Sequence, residues 1–390
     1  MKKIIRIGLV MQGGLNWMGG TEYIKNIVQA LASLPSEVKN SFEICLICNK
    51  SFDTSLYDSI LPYLKNIYYK EKELQILNLA NSNNWHLFKS SFYLKNKIDF
   101  VYPDINYLPV KNLYYSASWI PDFQYKHLPH LFSQQAINKM EKSFARAAKH
   151  SSKVILSSKT AESDFHKYFP KYADKSNVLN FRTFPISVWY NGEPQTIQKE
   201  YHLPEKFFIV SNQFWQHKNH LILFKALKLL QEKSIYPVIV CTGSINDPLQ
   251  PNYSNIILTS INELNLKEQI YLLGLIPRQK QIQLMRRSIA VIQPSLFEGW
   301  STIVEDSRCL GKPMIISDIP VHQEQNPPKS IFFEPNSPEN LAAALEQYWE
   351  NLTIGPDLNQ EAIARNNNLA DIQTFGYRFL EIVHNTMSSR

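Results

Sequence analysis

The strongest constraint on the fold is a regular alternation of short apolar runs, rich in β-branched and aromatic residues, with longer segments of helical period. Each short run has the length of a β-strand, and each longer segment can form a helix that returns the chain to the same edge of a sheet. Strands that alternate with helices pair in parallel, with helices covering both faces. The pattern therefore predicts an α/β fold of doubly wound, Rossmann-like sheets. The predicted strands are residues 6–11, 42–48, 66–69, 100–102, 113–117, 153–157 and 177–181, then 206–212, 236–243, 269–274, 288–295 and 313–317.

A chain of 390 residues is long enough for two such domains but not for three. The alternation weakens between residues 183 and 205, where proline and glycine occur. We therefore predict an N-terminal domain at 1–185, a linker at 186–204, a C-terminal domain at 205–370 and a helix at 371–390 whose end, by the resemblance described below, crosses back onto the first domain. Because ligands of open parallel sheets bind beyond the carboxyl ends of the strands, two facing domains are expected to place a site in the crevice between them.

Composition excludes several classes of protein. Apolar residues make up 44% of the chain and charged residues 19%, which is typical of a well-buried enzyme and not of a disordered chain. No stretch has the length of uncharged apolar sequence that a membrane-spanning helix needs, and the first apolar segment is too short for a signal peptide, so a cytoplasmic protein is expected. Cys45 and Cys48 form a C-x-x-C pair, but without a second pair or a histidine cluster the pattern favours buried thiols over zinc.

The positive charge is concentrated in the first half of the chain. Residues 1–190 contain 24 Lys and Arg against 14 Asp and Glu, whereas the remainder contains 17 against 20, within a total net charge of +7. No nucleic-acid-binding motif accompanies these cations, so nucleic acid is not an expected partner. Attraction to an anionic membrane surface explains a diffuse basic half, and so does a merely solvated basic surface. The first explanation predicts peripheral contact with the inner face of the membrane.

The glycines restrict where the first domain can bind phosphate. Five of the 12 glycines precede Thr21 and none lies between Thr21 and Asn191. The pairs Gly13-Gly14 and Gly19-Gly20 do not form the G-x-G-x-x-G fingerprint of dinucleotide-binding proteins, which disfavours a nicotinamide enzyme. The remaining interpretations are a flexible loop that lets backbone amides approach a ligand at a helix N-terminus, or a simple strand-to-helix turn.

The stretch from residue 293 to 325 has the most specific pattern. Thr302 and Glu305 form a T-x-x-E capping box, which predicts a helix from residue 303 to 311 with the Glu305 carboxylate turned back to the Thr302 amide. Glu298 and Asp306, eight positions apart, are then the two acids available to a ligand. A carboxylate such as Asp306 can accept both hydroxyls of a vicinal diol, for example of a ribose. Two solvated acids around a helix cap are the alternative.

A cation and a set of amides complete this predicted site. Lys218 follows a predicted strand at a helix start, where a point charge suits a diphosphate, although a lysine there is often simply solvated. The amides of residues 300–302 lie at the next helix start and are expected to bind phosphate or sugar oxygens.

These motifs resemble those of the large retaining glycosyltransferase family four, whose members have two Rossmann-like domains in the GT-B fold. Segments 272–277 and 314–324 are similar to family motifs at the matching places, and 118–129 resembles a subgroup found among bacterial polysaccharide enzymes. The family's P-S-x-x-E-G, with a second acid eight residues after the first, matches Pro294, Ser295, Glu298, Gly299 and Asp306, and its N-terminal Gly-Gly loop matches Gly19, Gly20 and Glu22.

The resemblance implies a role for each matching residue. Glu298 would hold hydroxyls of the donor sugar, Asp306 would bind the ribose, and Lys218 would bind the diphosphate. Gly20 would line the sugar-phosphate channel, and the backbone near Leu275 would meet the base. The other candidates are Gly19, Gln213, Ile276, Gly299, Trp300, Ser301 and Thr302 on the donor side, and Glu22 and His127 for the acceptor or sugar.

Three positions depart from the family pattern. Asp306 stands where the family usually has Glu, and Gln213 stands where it has a phosphate-binding Arg. The usual His-Asp pair of the N-terminal domain corresponds to Pro121-Asp122, so Asp122 is the catalytic candidate there. A sugar-contacting imidazole would then come from elsewhere, with His127 as the candidate.

The activity implied by the resemblance is transfer of a sugar, with retained configuration, from a nucleoside-diphosphate sugar to a glycan or lipid-linked glycan in bacterial polysaccharide biosynthesis. Lys218 and helix-start amides can stabilise the leaving diphosphate without a metal, and no D-x-D motif lies in a fitting loop, so neither a metal nor a cofactor is expected. Closure of two domains would exclude water from the donor. The alternatives are a GT-B-like nucleotide-sugar epimerase or phosphorylase and a non-catalytic glycan-binding relative.

Overall fold

The chain folds into two compact α/β units. A computed structural model describes residues 3–14, 17–49, 53–70, 92–104, 114–247 and 249–388. The N-terminal unit comprises Met1–Phe123, Gln134–Phe184 and Ala370–Arg390, and the C-terminal unit comprises Gln124–Ser133 and Pro185–Leu369. Each unit is built on a parallel sheet with Rossmann-like topology, which confirms the predicted fold class.

The sheet of the N-terminal unit has the strand order β3-β2-β1-β4-β5-β6-β7 among the described residues. All neighbouring strands are parallel, and Ile7 of the first strand is in register with Ile44 on one side and Phe100 on the other. The order of connection reverses between β1 and β4, which is where open α/β sheets bind ligands. The strands are β1 Ile5–Val10, β2 Phe42–Asn49, β3 Asn66–Lys70, β4 Phe100–Tyr102, β5 Tyr115–Ile120, β6 Lys153–Leu156 and β7 Ser176–Val178.

The sheet of the C-terminal unit has the order β10-β9-β8-β11-β12-β13, with the corresponding reversal between β8 and β11. Its last strand was not predicted from the sequence, because the run at 330–333 is only four residues long. Three of these four residues are only partly buried in the structure. The strands are β8 Phe208–Ser211, β9 Ile239–Thr242, β10 Ile270–Leu272, β11 Val291–Gln293, β12 Met314–Ser317 and β13 Ser330–Phe333.

Helices follow the strands along most of the described chain. Their bounds are α1 Met18–Ala32, α2 Ser36–Lys39, α3 Gln124–His127, α4 Gln134–His150, α5 Lys159–Tyr168, α6 Ser187–Asn191, α7 Pro194–Glu200, α8 His220–Glu232, α9 Tyr253–Glu263, α10 Arg278–Arg287, α11 Thr302–Cys309, α12 Pro320–Gln325, α13 Pro338–Asn351 and α14 Leu358–Ser388. Short 3₁₀ helices lie at Thr54–Tyr63, Pro129–Leu131, Pro170–Lys175 and Gln216–Lys218.

Both faces of the C-terminal sheet are buried, as a parallel sheet with helices on each side requires. Successive residues of a strand point to opposite faces. Phe208 accordingly lies in the core that contains Leu223 of α8, whereas its neighbour Ile209 lies in the core that contains Val304 of α11. Both strand residues are fully buried. This burial explains why the strands are near-continuous apolar runs without polar alternation.

Residues 186–204, predicted as a linker, contain α6 and α7 and belong to the C-terminal unit. Trp189 of α6 is buried in the core below the sheet, and the side chain of Gln198 in α7 accepts a hydrogen bond from Arg287 Nε at 2.5 Å. The apolar and polar contacts of these short helices with α10 make the segment part of a domain, which its weak periodicity did not predict.

The end of α14 packs in the N-terminal unit. Phe379 lies against Phe100 and Tyr102, with ring centroids 6.4 and 5.4 Å away, and Gln373 Nε2 donates to the Ser33 carbonyl at 3.1 Å. In the described residues no helix is long and apolar enough to cross a membrane. The four cysteines are free and buried, and burial raises the pKa of Cys45 and Cys48 to about 11.

Truncation of Phe379 should destabilise the N-terminal unit. Phe379 is 1% exposed, so Phe379→Ala removes a fully buried ring and is expected to cost about 3–5 kcal/mol. Hydrogen exchange of the β4 amides measures the loss as reduced protection. Tyr377→Ala removes a side chain that is 45% exposed on the same helix and should change protection by less than about 0.5 kcal/mol. Equal effects of the two variants would contradict this packing.

Candidate functional site

The candidate site lies at the carboxyl edge of the C-terminal sheet, at its topological switch. Lys218 ends the 3₁₀ helix that follows β8, and Glu298 lies in the loop that follows β11, the neighbouring strand. The two loops are tied together because the Leu296 amide donates to the His217 carbonyl at 2.8 Å. Residues that were 80 positions apart in the sequence are thereby brought into contact.

Glu298 is the centre of this site. Its Oε1 accepts hydrogen bonds from Lys218 Nζ at 2.5 Å, from Gln293 Nε2 at 2.7 Å and from Ser295 Oγ at 2.7 Å. The side chains of Glu298 and Lys218 are only 8% and 14% exposed. A largely buried charge pair of this kind is stable only when further hydrogen bonds complete the solvation of the ions, which Gln293 and Ser295 do here.

The site keeps Glu298 ionised. Burial raises the pKa of Glu298, but the opposing positive charge of Lys218, together with the hydrogen bond from its ammonium, outweighs burial and lowers the pKa to about 2. The sheet edge therefore presents an ionised carboxylate at neutral pH, held 2.5 Å from Lys218 Nζ.

Two neutral imidazoles flank this ion pair. Burial lowers the pKa of His217 to about 3 and that of His322 to about 4. The nitrogen Nδ1 of His322 lies 2.9 Å from the Ser317 carbonyl, so it carries the proton and Nε2 is an acceptor. In the described part of the chain Nε2 has no hydrogen-bond partner. His322 is thus a candidate ligand contact that sequence reasoning missed, although it lies in a motif that the resemblance included.

The predicted capping box does not form. Helix α11 begins at Thr302 with Ser301 as its N-cap, and no side chain caps it. Gln325 of α12 bonds the start of this helix instead. Its Oε1 accepts a hydrogen bond from the Ser301 amide at 3.0 Å, and its Nε2 donates one to Glu305 Oε1 at 3.0 Å. Glu305 is also paired with Arg308, 3.5 Å away. The Ser301 amide is therefore bound within the protein, which corrects its predicted role toward phosphate.

Asp306 differs from its predicted state. Its side chain has no exposed surface, and Oδ1 lies 2.7 Å from Nη2 of Arg278, the first residue of α10. Arg278 is 31% exposed and its guanidinium carbon lies 5.2 Å from the centre of the Trp189 ring. The second acid of the site is thus covered by an arginine that sequence reasoning did not single out.

Two further donor-side candidates, Gln213 and Leu275, differ in their surroundings. Gln213, in place of an arginine, accepts from the Ser244 amide at 2.7 Å and so joins the loops after β8 and β9. Leu275 is 67% exposed in the loop after β10, beside Ile276 and after Gly274, whose φ is +67°. Leu275 is therefore an exposed apolar side chain after β10.

The glycine pair of the N-terminal unit is not in an open loop. Gly19 and Gly20 lie in the first turn of α1, where a Cβ on Gly20 would come within 2.8 Å of the Trp17 ring. Their small size makes room for Trp17, which stacks on Trp119 at 5.5 Å. Glu22 is paired with Lys25 at 2.8 Å. This geometry favours a packed turn over the predicted phosphate loop.

Asp122 and His127 belong to different units. Asp122 follows β5 in the N-terminal unit, whereas His127 belongs to the C-terminal unit. The His127 ring lies 5.1 Å from the ring of Phe297, which precedes Glu298. His127 thus contacts the Glu298 loop through Phe297. Among the described residues, no group of three or more His, Cys, Asp or Glu side chains could hold a metal.

Comparison with known proteins finds a family model that matches the part of the chain containing this site. Residues 194–366, which contain Lys218, Glu298 and Asp306, match the family model described as glycosyl transferases group 1. The chain is 26% identical over 195 residues, half of each chain, to an O-antigen chain mannosyltransferase of Salmonella typhimurium. It is 29% identical over 116 residues to an Escherichia coli UDP-Gal:alpha-D-GlcNAc-diphosphoundecaprenol alpha-1,3-galactosyltransferase, covering 29% of this chain and 28% of that protein. The chain thus spans half, or less, of the length of these curated relatives.

Solved structures share the fold over nearly the whole chain. A glycosyltransferase from Rickettsia africae superposes with a TM-score of 0.71 at 18% identity, over 99% of this chain and 100% of that one. Anabaena HepE, solved in complex with UDP and glucose, superposes with a TM-score of 0.69 at 16% identity, over 98% and 100%. At these identities the likeness establishes the fold, which is the GT-B fold named from the motifs.

The buried histidines should make the C-terminal unit sensitive to acid. His220 has no exposed surface, stacks on Phe214 at 4.0 Å, and burial lowers its pKa to about 3 from an ordinary value of 6.5. Below pH 6.5 the unfolded chain binds a proton that the folded chain excludes, so the free energy of unfolding falls as the pH decreases.

His220→Leu should remove this contribution, which is about 1.4 kcal/mol per pH unit for one group. Urea denaturation at pH 6 and pH 5, followed by tryptophan fluorescence, measures the difference between the variant and the wild type. The same loss of stability in both proteins would contradict a buried neutral His220.

Proposed function

We propose that the protein is a retaining glycosyltransferase that moves a sugar from a nucleoside-diphosphate sugar to a glycan or lipid-linked glycan in bacterial polysaccharide biosynthesis. The observation that carries the proposal is the buried Lys218–Glu298 pair at the switch point of the unit that matches group 1 glycosyltransferases. A fixed ammonium beside a fixed carboxylate suits a ligand with a diphosphate next to a polyhydroxylated ring. Both curated relatives, named as an O-antigen chain mannosyltransferase and a diphosphoundecaprenol-linked galactosyltransferase, support a glycan or lipid-linked acceptor.

Lys218 is proposed to stabilise the leaving group. Breaking a glycosyl-phosphate bond develops negative charge on the diphosphate, and a positioned cation in a water-poor site lowers the barrier by stabilising that charge. Lys218 is held by Glu298 and by the short helix after β8, so little reorganisation is needed when the charge develops. In this proposal the reaction needs neither a metal nor a cofactor, because the lysine provides the positive charge.

Glu298 is proposed to orient the donor sugar. Three donors hold its Oε1 in place, and a carboxylate held in this way can accept sugar hydroxyls at fixed positions. The acceptor nitrogen Nε2 of His322, whose neighbours include the Glu298 charge, is a second contact for a hydroxyl. The leaving phosphate takes the proton of the acceptor hydroxyl on the same face of the sugar, which retains the configuration. Asp122 and His127 are also proposed to contact the sugar or the acceptor.

Substitution of the ion pair tests this function. Glu298→Gln and Lys218→Gln should each lower sugar transfer by about a hundredfold or more, because orientation of the sugar or stabilisation of the diphosphate is lost. Mass spectrometry of reactions with UDP- and GDP-sugars and a lipid-linked glycan measures transfer, and circular dichroism verifies the fold.

The matched controls are Glu334→Gln, an exposed acid after β13, and Lys225→Gln, an exposed lysine of α8. Both should retain wild-type transfer. Wild-type turnover by Glu298→Gln would rule out the assignment, and release of an altered free sugar without an acceptor would indicate an epimerase instead.

Peripheral contact with an anionic membrane is proposed for the N-terminal unit. Lys139, Lys142, Arg146 and Lys149 are exposed and recur every three or four residues along α4, so they lie on one face of that helix. Each cation near an anionic surface contributes about 1 kcal/mol to binding.

Neutralising this face should weaken membrane binding. The triple variant Lys139→Gln, Lys142→Gln, Lys149→Gln is expected to lose about a hundredfold in affinity for phosphatidylglycerol vesicles. Co-sedimentation at low and high salt measures it, since added salt screens such attraction. A variant with Lys225, Lys233 and Lys267 of the C-terminal unit changed to Gln, all exposed, is the control. Equal binding to neutral phosphatidylcholine vesicles would contradict the proposal.

A further inference from the structure

A small cavity lies within the C-terminal unit, beside the loop that carries Lys218. Its walls come from the loops after β8 and β9 and from the segment 124–133, which belongs to this unit. The cavity has a volume of about 120 Å³ and is partly open to solvent. His217 forms part of its wall, and the Cα atoms of His217 and Lys218 are about 3.8 Å apart because the two residues are neighbours in the chain. The cavity therefore adjoins the proposed reaction centre.

The loops that form the cavity lead to helices on the opposite face of the sheet from the nucleotide candidates. The loops after β8 and β9 continue into α8 and α9, which pack in the core that contains Phe214. Helices α10 and α11 pack in the core on the other face. Ile276 packs against that second core, and Asp306 lies on α11. A nucleotide bound at Ile276 and Asp306 thus leaves the cavity open to a different ligand.

The size and the walls of the cavity suit the ring of one sugar. Trp215 and Phe132 contribute aromatic side chains and Leu131 and Leu249 aliphatic ones, so the lining is mostly apolar. An apolar cavity of about 150 Å³ admits a benzene ring, so an open cavity of slightly smaller volume can take one six-membered ring but not two. The C–H face of a pyranose is apolar and can pack on an aromatic side chain, while the hydroxyls at its rim need polar partners.

Asp247 provides a fixed hydrogen-bond acceptor in this cavity. Its Oδ2 accepts from the Gln216 amide at 3.1 Å, and its Oδ1 accepts from the Leu249 amide at 2.9 Å. These bonds hold the carboxylate in place, and each oxygen keeps a second acceptor position. The side chains of Gln124 and Gln250 also line the cavity. A few polar groups placed around an apolar wall are what orient a small ligand in its pocket.

We propose that this cavity binds the terminal pyranose ring of the acceptor glycan, with the ring packed on Trp215 and its hydroxyls bonded to Asp247. The volume admits one ring, so one sugar unit is recognised here and the rest of the acceptor extends into solvent. This inference rests on the proposed glycosyltransferase function and names the chemical group by which that function selects its acceptor.

Saturation-transfer NMR with methyl glycosides tests the proposal. The wild-type chain, loaded with whichever of UDP, GDP and ADP it binds most tightly, should contact at least one of the methyl glycosides of glucose, galactose, mannose and N-acetylglucosamine. Trp215→Ala should weaken the affinity for that glycoside about tenfold, because the aromatic face is lost, and Trp215→Phe should weaken it less.

Leu249→Trp blocks the cavity without removing Trp215. Leu249 is 53% exposed, so a larger side chain there can enter the cavity with little effect on the core, and the glycoside signal should be lost. Leu258→Trp, the same substitution at a leucine of α9 that is 45% exposed, should bind the glycoside like the wild type. By calorimetry, both variants should bind the nucleoside diphosphate with wild-type affinity.

A glycoside signal that Trp215→Ala and Leu249→Trp both leave unchanged would overturn the inference. A signal lost only in Glu298→Gln would overturn it too, because the hexose would then lie at the donor position. Absence of any glycoside signal in the nucleotide-loaded wild type would overturn the inference alone. Failure of the wild-type chain to bind any nucleotide would overturn the proposed function together with it.

Discussion

The buried ion pair between Lys218 and Glu298 is the interaction on which the functional account depends. Two ions can be kept so far from water only if each finds a charged partner and the remaining acceptor positions are bonded. Gln293 and Ser295 complete the contacts of Glu298, and both come from β11 or the loop directly after it. The strand order then brings in the lysine, because β8 is the neighbour of β11. The sheet topology is therefore what makes a charged site possible at this edge.

The surroundings of the pair are polar but uncharged. His217 and His322 are kept neutral by burial, and Glu298 stays ionised beside Lys218 throughout the neutral range. The second acid, Asp306, is likewise buried beside a cation, because its carboxylate lies 2.7 Å from Arg278. Glu298 and Asp306 thus each have a positively charged partner from a distant segment of the C-terminal unit. This arrangement keeps the positions of the charges fixed before any ligand enters, which is what electrostatic stabilisation of a developing charge requires.

Much of the fold could be predicted from the sequence, because fully buried parallel strands are continuous apolar runs, as at 208–211 and 314–317. The choice of Glu298 and Lys218 also followed from local pattern and resemblance. Partners from distant segments could not be predicted in this way. Arg278 meets Asp306 across 28 positions, and Gln325 replaces the predicted capping box across 24. Such contacts depend on how helices pack on the sheet, and no local spacing records them. The packing of Gly20 against Trp17 was missed because the same glycines also suit an open loop.

The most direct test of the central claim is a crystal structure of the chain with a nucleoside diphosphate bound. We expect the terminal phosphate to lie within hydrogen-bond distance of Lys218 Nζ, and the hexose hydroxyls of an intact nucleotide sugar to face the Glu298 carboxylate. A nucleotide bound elsewhere, with the Lys218–Glu298 pair undisturbed and inaccessible to it, would contradict the account.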